Sequence, residues 1–177
     1  MLKKILLVIL AIIAIPLIAA LFMKKDYAVS REITINKPKA EVFEYIKYLK
    51  NQDNYSKWNQ MDPAMKKTYT GTDGAVGFIA AWDSEMKEVG AGSQEIMKIA
   101  EGERMDMEIR FTKPFESTDL AFMSTEAVGE AQTKVVWGFS GRMDYPMNIM
   151  LTLMNMDEMI GADLSTGLTN LKTLMEK

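Results

Sequence analysis

Residues 104–111 read RMDMEIRF. Met105, Met107, Ile109 and Phe111 alternate with Arg104, Asp106, Glu108 and Arg110, so one face is wholly apolar and the other wholly charged. That period of two predicts a strand of an antiparallel sheet with one face on a core and the other in water. Pro114 stops it, because proline cannot donate to the ladder. The same period recurs on both sides. Phe78, Ala80 and Trp82 alternate with Ile79, Ala81 and Asp83, after a short strand over 66–70 and the turn Gly71–Gly74. A turn near Gly90 and Gly92 leads to a strand over 94–99. Another strand is expected over 119–128, with Leu120 and Phe122 on its apolar side. The last covers 133–143, with Val135, Trp137, Phe139 and Met143 on one face.

The flanking segments have other periods. Val29, Ile33 and Ile35 alternate with Ser30, Glu32 and Thr34 as a first strand. In INKPKAEVFEYIKYL, Asn36 is the expected N-cap and Pro38 falls in the first helical turn, with Val42, Ile46 and Leu49 on one face. A short second helix is expected before Pro63. Residues 146–175 read as one long helix, with Met147, Met150, Leu151 and Met154 at helical spacing and Leu164, Leu168, Leu171 and Met175 continuing the stripe. Gly161 and Gly167 weaken that helix by about 1 kcal/mol each relative to alanine, so a kink or a close packing contact is expected there. Strands do not alternate with helices, which excludes a doubly wound sheet. The fold class is α+β, one antiparallel sheet of about six or seven strands around a long C-terminal helix.

Composition removes whole classes of chemistry. There is no cysteine and no histidine among the 177 residues. Disulfides, thiolate metal sites, cysteine nucleophiles and Ser-His-Asp arrangements are all excluded. No metal or cofactor is expected. Lys3, Lys4, Lys24 and Lys25 are the charges of the first 25 residues; the remainder carries 17 basic and 24 acidic residues, net −7. An acidic domain of that kind is a poor nucleic-acid binder.

Residues 5–23, ILLVILAIIAIPLIAALFM, are 19 residues with no charge and no hydrogen-bonding side chain. As a helix they reach roughly 28 Å, close to the thickness of bilayer hydrocarbon. A cleaved signal would have a shorter apolar stretch and a better site than Ile18-Ala19-Ala20. A buried core helix would have a polar face. An uncleaved signal anchor over 1–25 fits best, followed by a domain over 26–177. The short basic start favours the domain on the extracytoplasmic side; the alternative is a secreted or periplasmic protein after cleavage.

The order of elements and several stretches resemble the SRPBCC or START-like superfamily, the helix-grip fold that includes polyketide cyclase/dehydrase-type proteins and birch-pollen-allergen relatives. These stretches are VSREITINKPKAEVFEYI at 29–46, YSKW at 55–58, GTDGAVGFIAAW at 71–82 and GAGSQEI at 90–96, then FTKPF at 111–115, TKVVWGFSG at 133–141 and GLTNLK at 167–172. The resemblance implies a cavity between sheet and C-terminal helix that accepts an apolar ligand. The side chains expected to line it are Trp58, Phe78, Trp82, Met107, Ile109 and Phe111, with Phe122, Trp137, Phe139, Met147, Met150 and Met154. Sixteen methionines suit a surface that adapts to varied apolar partners, although ordinary core packing explains methionine equally well. Trp58 is expected at a mouth or lid. Glu95, Tyr69 and Arg110 are the titratable candidates near such a cavity, and the alternation turns Arg110 outward, so no catalytic residue is assigned. The expected function is binding of a hydrophobic small molecule or lipid close to a membrane. Alternatives are an enzyme of the cyclase/dehydrase type and a co-chaperone-like interaction module with a filled core.

Overall fold

The protein is described by a computed structural model covering residues 2–177; Met1, the start of the expected anchor, lies outside the described residues. Helix α1 spans Leu2–Ala20 and leads into strand β1, Asp26–Ile35. Two short helices follow, α2 (Lys39–Ile46) and α3 (Lys57–Met61), separated by a 3₁₀ turn at Leu49–Asn54. Six strands come next: β2 (Lys66–Thr70), β3 (Ile79–Asp83), β4 (Ala91–Ala100), β5 (Arg104–Lys113), β6 (Ser117–Gly129) and β7 (Gln132–Arg142). A 3₁₀ turn at Met147–Ile149, a single turn α4 (Met150–Leu153) and the long helix α5 (Met156–Met175) complete the chain. All seven strands form one antiparallel sheet in the order β1-β7-β6-β5-β4-β3-β2. This is the helix-grip α+β architecture expected from the sequence.

The inward face is a series of cross-strand rows. One runs Val29, Phe139, Ala121, Met107, Ile96. The next, toward the closed end, runs Arg31, Trp137, Met123, Met105, Ile99. Val42, Phe43 and Ile46 of α2 and Leu164, Leu168 and Leu171 of α5 bury against these rows and form the core with Ile35, Val135, Met105 and Met123. Bulges in the β4–β5 pair bend the sheet and turn Met97 to solvent.

Three expectations need correction. Strand β6 has the opposite phase: Ala121 and Met123 are buried, whereas Leu120 is 57% exposed. Phe122 therefore lies on the outer face. It stays there because its ring covers the bare backbone of Gly138 and is itself covered by the Arg104 guanidinium, 3.8 Å from the ring centre. Asn36 is not the N-cap of α2, which begins after Pro38; its backbone N–H donates to Glu176 (2.6 Å), tying the end of β1 to the end of α5. The C-terminal segment is not one helix over 146–175. It breaks at Met154, whose backbone is extended (φ −107°, ψ 130°), and α5 restarts with Asn155 as a true cap, its Oδ1 accepting from the Glu158 N–H (3.2 Å).

Gly161 and Gly167 do not kink α5; they are where it touches the sheet. A Cβ on Gly161 would meet the Arg31 guanidinium, and a Cβ on Gly167 would sit 2.7 Å from the Trp137 ring. Arg31 is held by Asp157, donating to both carboxylate oxygens (3.0 and 2.9 Å) and to its backbone carbonyl (2.8 Å).

The two glycines should answer differently to alanine. Helix propensity favours each substitution by about 1 kcal/mol. Against this, overpacking a rigid buried ring costs about 1–3 kcal/mol, while the half-exposed Arg31 can swing aside. Gly167→Ala is expected to lower the thermal unfolding midpoint of the detergent-solubilised full chain, with Gly161→Ala near neutral. A higher midpoint for Gly167→Ala would show that Trp137 does not fix the helix-to-sheet distance.

Candidate functional site

Between sheet and α5 lies a cavity of about 960 Å³. It occupies the end of the sheet that contains the start of β1 and the end of β7, away from the α2 core. Volumes of this order accommodate a drug-sized or lipid-like molecule. Its floor is a row that crosses the whole sheet: Tyr27, Gly141, Asp119, Ile109, Gln94, Ala80 and Tyr69 in strand order. A second row, Phe111 and Trp82 flanking Gly92, forms the side nearest the β5–β6 hairpin. Trp58 of α3 and Ile160 and Leu164 of α5 cover the floor.

Aromatic packing gives the walls their shape. Trp137 stands edge-on to both Tyr55 (ring centres 5.7 Å) and Trp58 (6.1 Å), and Trp82 edge-on to Phe111 (5.8 Å). Trp82 reaches Phe111 because Gly92, between them, has no side chain; a Cβ there would lie 2.9 Å from the Trp82 ring. The Trp82 indole donates to the Val89 carbonyl (3.2 Å). The α3 cover is tied down by the Lys57–Asp163 ion pair and by Asn170 of α5, which donates to the Tyr55 carbonyl (3.2 Å).

Seven of the side chains expected from the sequence line this cavity: Trp58, Trp82, Ile109, Phe111, Trp137, Phe139 and Met147. Five do not. Phe78 is 1% exposed in the closed core and stacks on Tyr69 (6.1 Å). Met107 is buried under the floor, where its sulfur accepts from the Gln94 amide. Phe122 is on the outer face, and Met150 and Met154 fall in the interrupted segment before α5, outside the lining. Among the titratable candidates, Glu95 and Arg110 pair with each other on the outer face (2.8 Å), and Tyr69 alone lines the cavity.

Sequence reasoning missed the polar groups. Asp119 is 4% exposed, on the inner face of β6, and lines the cavity. Its Oδ2 accepts from the Ser117 hydroxyl (2.8 Å). Burial pushes the Asp119 carboxyl above the ordinary carboxylate range, partly offset by that hydrogen bond. Tyr27 approaches it from β1, and burial, then the neighbouring Asp119 charge, push its phenol well above the usual tyrosine range. Both groups fit because of Gly141: a Cβ there would collide with Asp119 Oδ1 and lie 2.6 Å from the Tyr27 hydroxyl. At the opposite side, Asp53 pairs with Lys67 (2.8 Å) and accepts from Asn59 (2.6 Å). The signal that could have found Asp119 is the register, since its partner Ile109 is an inward residue of the most legible strand.

The rim is apolar and close to α1. Phe115, Tyr145 and Met147 line the cavity and are 76%, 43% and 53% exposed. Next to them the Met143 N–H donates to the Lys25 carbonyl (2.8 Å), and the buried Asn148 side chain donates to the Ala20 carbonyl (2.7 Å) at the end of α1. Asn148 thus adds a short bond to a helix-terminal carbonyl that otherwise has only the long one from the Met23 N–H (3.4 Å).

Comparison with known proteins agrees with this architecture. The family described as polyketide cyclase / dehydrase and lipid transport matches residues 27–176. No curated protein matches the chain. Among solved structures, a protein from Nitrosospira multiformis aligns with a TM-score of 0.55 at 16% identity, covering 84% of this chain and 96% of that one. Ara h 8.0201 aligns at 0.53 and 13% identity, covering 84% and 99%. The Aha1 protein of Colwellia psychrerythraea, solved as a dimer, aligns at 0.53 and 12%, covering 85% and 96%. At these identities the likeness is one of fold. With its seven-stranded sheet, its gripping C-terminal helix and a family match over nearly all of 26–177, the chain belongs to the polyketide cyclase / dehydrase and lipid transport family.

Proposed function

We propose that residues 26–177 bind a hydrophobic small molecule or lipid, without covalent chemistry, and that residues 1–25 hold this domain at a membrane with the apolar span at 5–23. The observation that carries the reading is the position of the cavity. A largely apolar space of about 960 Å³ opens through Phe115, Tyr145 and Met147 beside the end of α1. A ligand partitioning in a bilayer would meet that mouth without crossing water.

The exposure of α1 supports the anchor. Eleven large apolar residues between Ile5 and Ile18 are 38–67% exposed. Lys3–Ala20 is long and apolar enough to cross a membrane. Moving one large apolar side chain out of water is worth about 1.5–3 kcal/mol when fully buried. Half that, summed over α1, is on the order of the stability of a whole domain. Lipid is the environment that recovers it. The Asn148–Ala20 hydrogen bond supports retention of α1 rather than cleavage near Ala20, because cleavage would leave the buried amide only its longer bond to the Met23 carbonyl (3.4 Å). The basic Lys3 and Lys4 support a cytoplasmic N-terminus and an extracytoplasmic domain.

Native mass spectrometry of the full chain released from membranes, with organic extraction of anything bound, tests the binding reading. A copurifying lipid or isoprenoid is expected. A protein empty as isolated, with no mass shift on a screen of apolar compounds, would overturn it and favour an interaction module. The same spectra test the anchor: the polypeptide mass is expected to include residues 1–25, and a mature chain starting near Leu21 would show cleavage. Trp137→Glu is expected to abolish binding by placing a charge against Trp58 and Tyr55. Because that charge also threatens the fold, Ile109→Asn at the cavity floor is the companion variant, expected to weaken apolar binding about tenfold by losing roughly one buried side chain's contact.

A further inference from the structure

Apart from Gln94 and Tyr69, the floor of the cavity is polar where Asp119 and Tyr27 converge over Gly141, and this pair has unspent hydrogen-bonding capacity. Asp119 Oδ2 is taken by Ser117, but neither Asp119 Oδ1 nor the Tyr27 hydroxyl has a hydrogen-bond partner among the described residues. Asp119 is more than nine-tenths buried. Buried polar groups in folded proteins are almost always paired, and one aimed into a ligand-sized cavity points to a ligand atom. Gly141 is what makes the notch: any side chain there would fill the space between the two oxygens.

The charges around the cavity limit what can fill the notch. Three cations line it, and each is already matched. Lys67 pairs with Asp53 (2.8 Å), Lys113 with Asp83 (2.8 Å), and Arg142 with both Asp26 and Asp144 (3.0 Å each). The lining also contains Glu88, Glu116 and Asp144. An anionic head would meet these carboxylates and find no unmatched cation among the lining residues. We infer that Asp119 and Tyr27 form a head-group subsite for an uncharged oxygen, a hydroxyl or a carbonyl, at the end of an otherwise apolar ligand, and that the cavity rejects carboxylates and phosphates. Asp119 Oδ1 offers an acceptor and the Tyr27 phenol an O–H donor, so a hydroxyl can bond to both and a carbonyl can accept from Tyr27.

This assignment rests on the binding reading above, and its test separates the two. The full chain is reconstituted in phosphatidylcholine vesicles, and binding of dodecanol, dodecane, dodecanoate and dodecylammonium is followed by the emission of Trp58, Trp82 and Trp137, corrected for partition into empty vesicles. Dodecanol is expected to bind about tenfold more tightly than dodecane or dodecanoate, the order expected of one hydrogen-bonded group in a dry site. Asp119→Leu is expected to erase the margin over dodecane, and Asp119→Asn, which keeps an acceptor oxygen, to retain most of it. Tyr27→Phe is expected to reduce it severalfold. If none of the four ligands binds, the binding reading itself fails. If all bind without discrimination, or if Asp119→Leu keeps the alcohol preference, the subsite is overturned. A preference for dodecylammonium that Asp119→Asn removes would overturn the neutral head group in favour of a cationic one.

Discussion

Trp137 stands against the bare backbone of Gly167, and that contact decides where helix and sheet touch and where they part. On the closed side of it, Leu168 and Leu171 reach rows of Met and Val with no space left, and α2 seals the edge. On the other side, one turn toward Asn155, the inward residues of α5 are Ile160 and Leu164, and the sheet opposite includes the small residues Ala80, Ala121 and Gly141 among its larger ones. Small residues on the floor and a large one at the boundary help to open the cavity, over a sheet bent by the β4–β5 bulges. At the edge strand the Arg31 guanidinium lies against Gly161, and its bonds to Asp157 tie β1 to the first turn of α5.

Much of this was legible in the sequence, and the reason is chemical contrast. Over Arg104–Phe111 of β5 every outward residue is charged and every inward residue is apolar, so the phase could be read directly. The neighbouring strands inherit their register from it through the ladder. β6 lacked that contrast. Leu120 and Phe122 are larger than Ala121 and Met123 and more apolar than Asp119 and Thr125, so local hydrophobicity selects the wrong face. Tertiary context reverses it: Phe122 finds a groove over Gly138 and a cationic cover in Arg104. A one-residue error of phase in a strand moves every side chain to the other face. Here it concealed the buried acid of the cavity and offered an outer-face phenylalanine instead. The break at Met154 was hidden for another reason. Methionine and leucine continue a helical stripe through it, and only the Asn155 cap, a single residue, marks the restart.

The methionines illustrate how composition can mislead about position. Met105, Met107 and Met123 are fully buried and belong to the closed core, not to the ligand space. The cavity is lined mainly by rigid rings, Trp58, Trp82, Trp137, Phe111 and Phe139, and its methionines are Met65, Met143 and Met147. Rings held edge to edge keep their shape when a site is empty, whereas methionine would collapse into it. A preformed aromatic cavity with a small polar notch is better suited to recognising one end of a ligand than to accommodating many unrelated ones.

The placement of the notch follows from topology. Tyr27 is the second residue of the strand that begins just after the end of α1, and Gly141 pairs with it two residues before the rim segment Met143–Met147. The segment linking α1 to the fold, the polar floor and the apolar rim are thus built from neighbouring residues at one end of the sheet. An amphipathic molecule entering from the side of α1 with its apolar chain still among Phe115 and Met147 would have to carry its polar end inward to reach Asp119. That order of events, head first into an apolar tunnel, is unfavourable for a charged head because desolvation costs several kcal/mol, and tolerable for a hydroxyl that regains its hydrogen bonds at the floor. Geometry and solvation therefore point to the same class of ligand, one whose polar end is weakly hydrated before it enters.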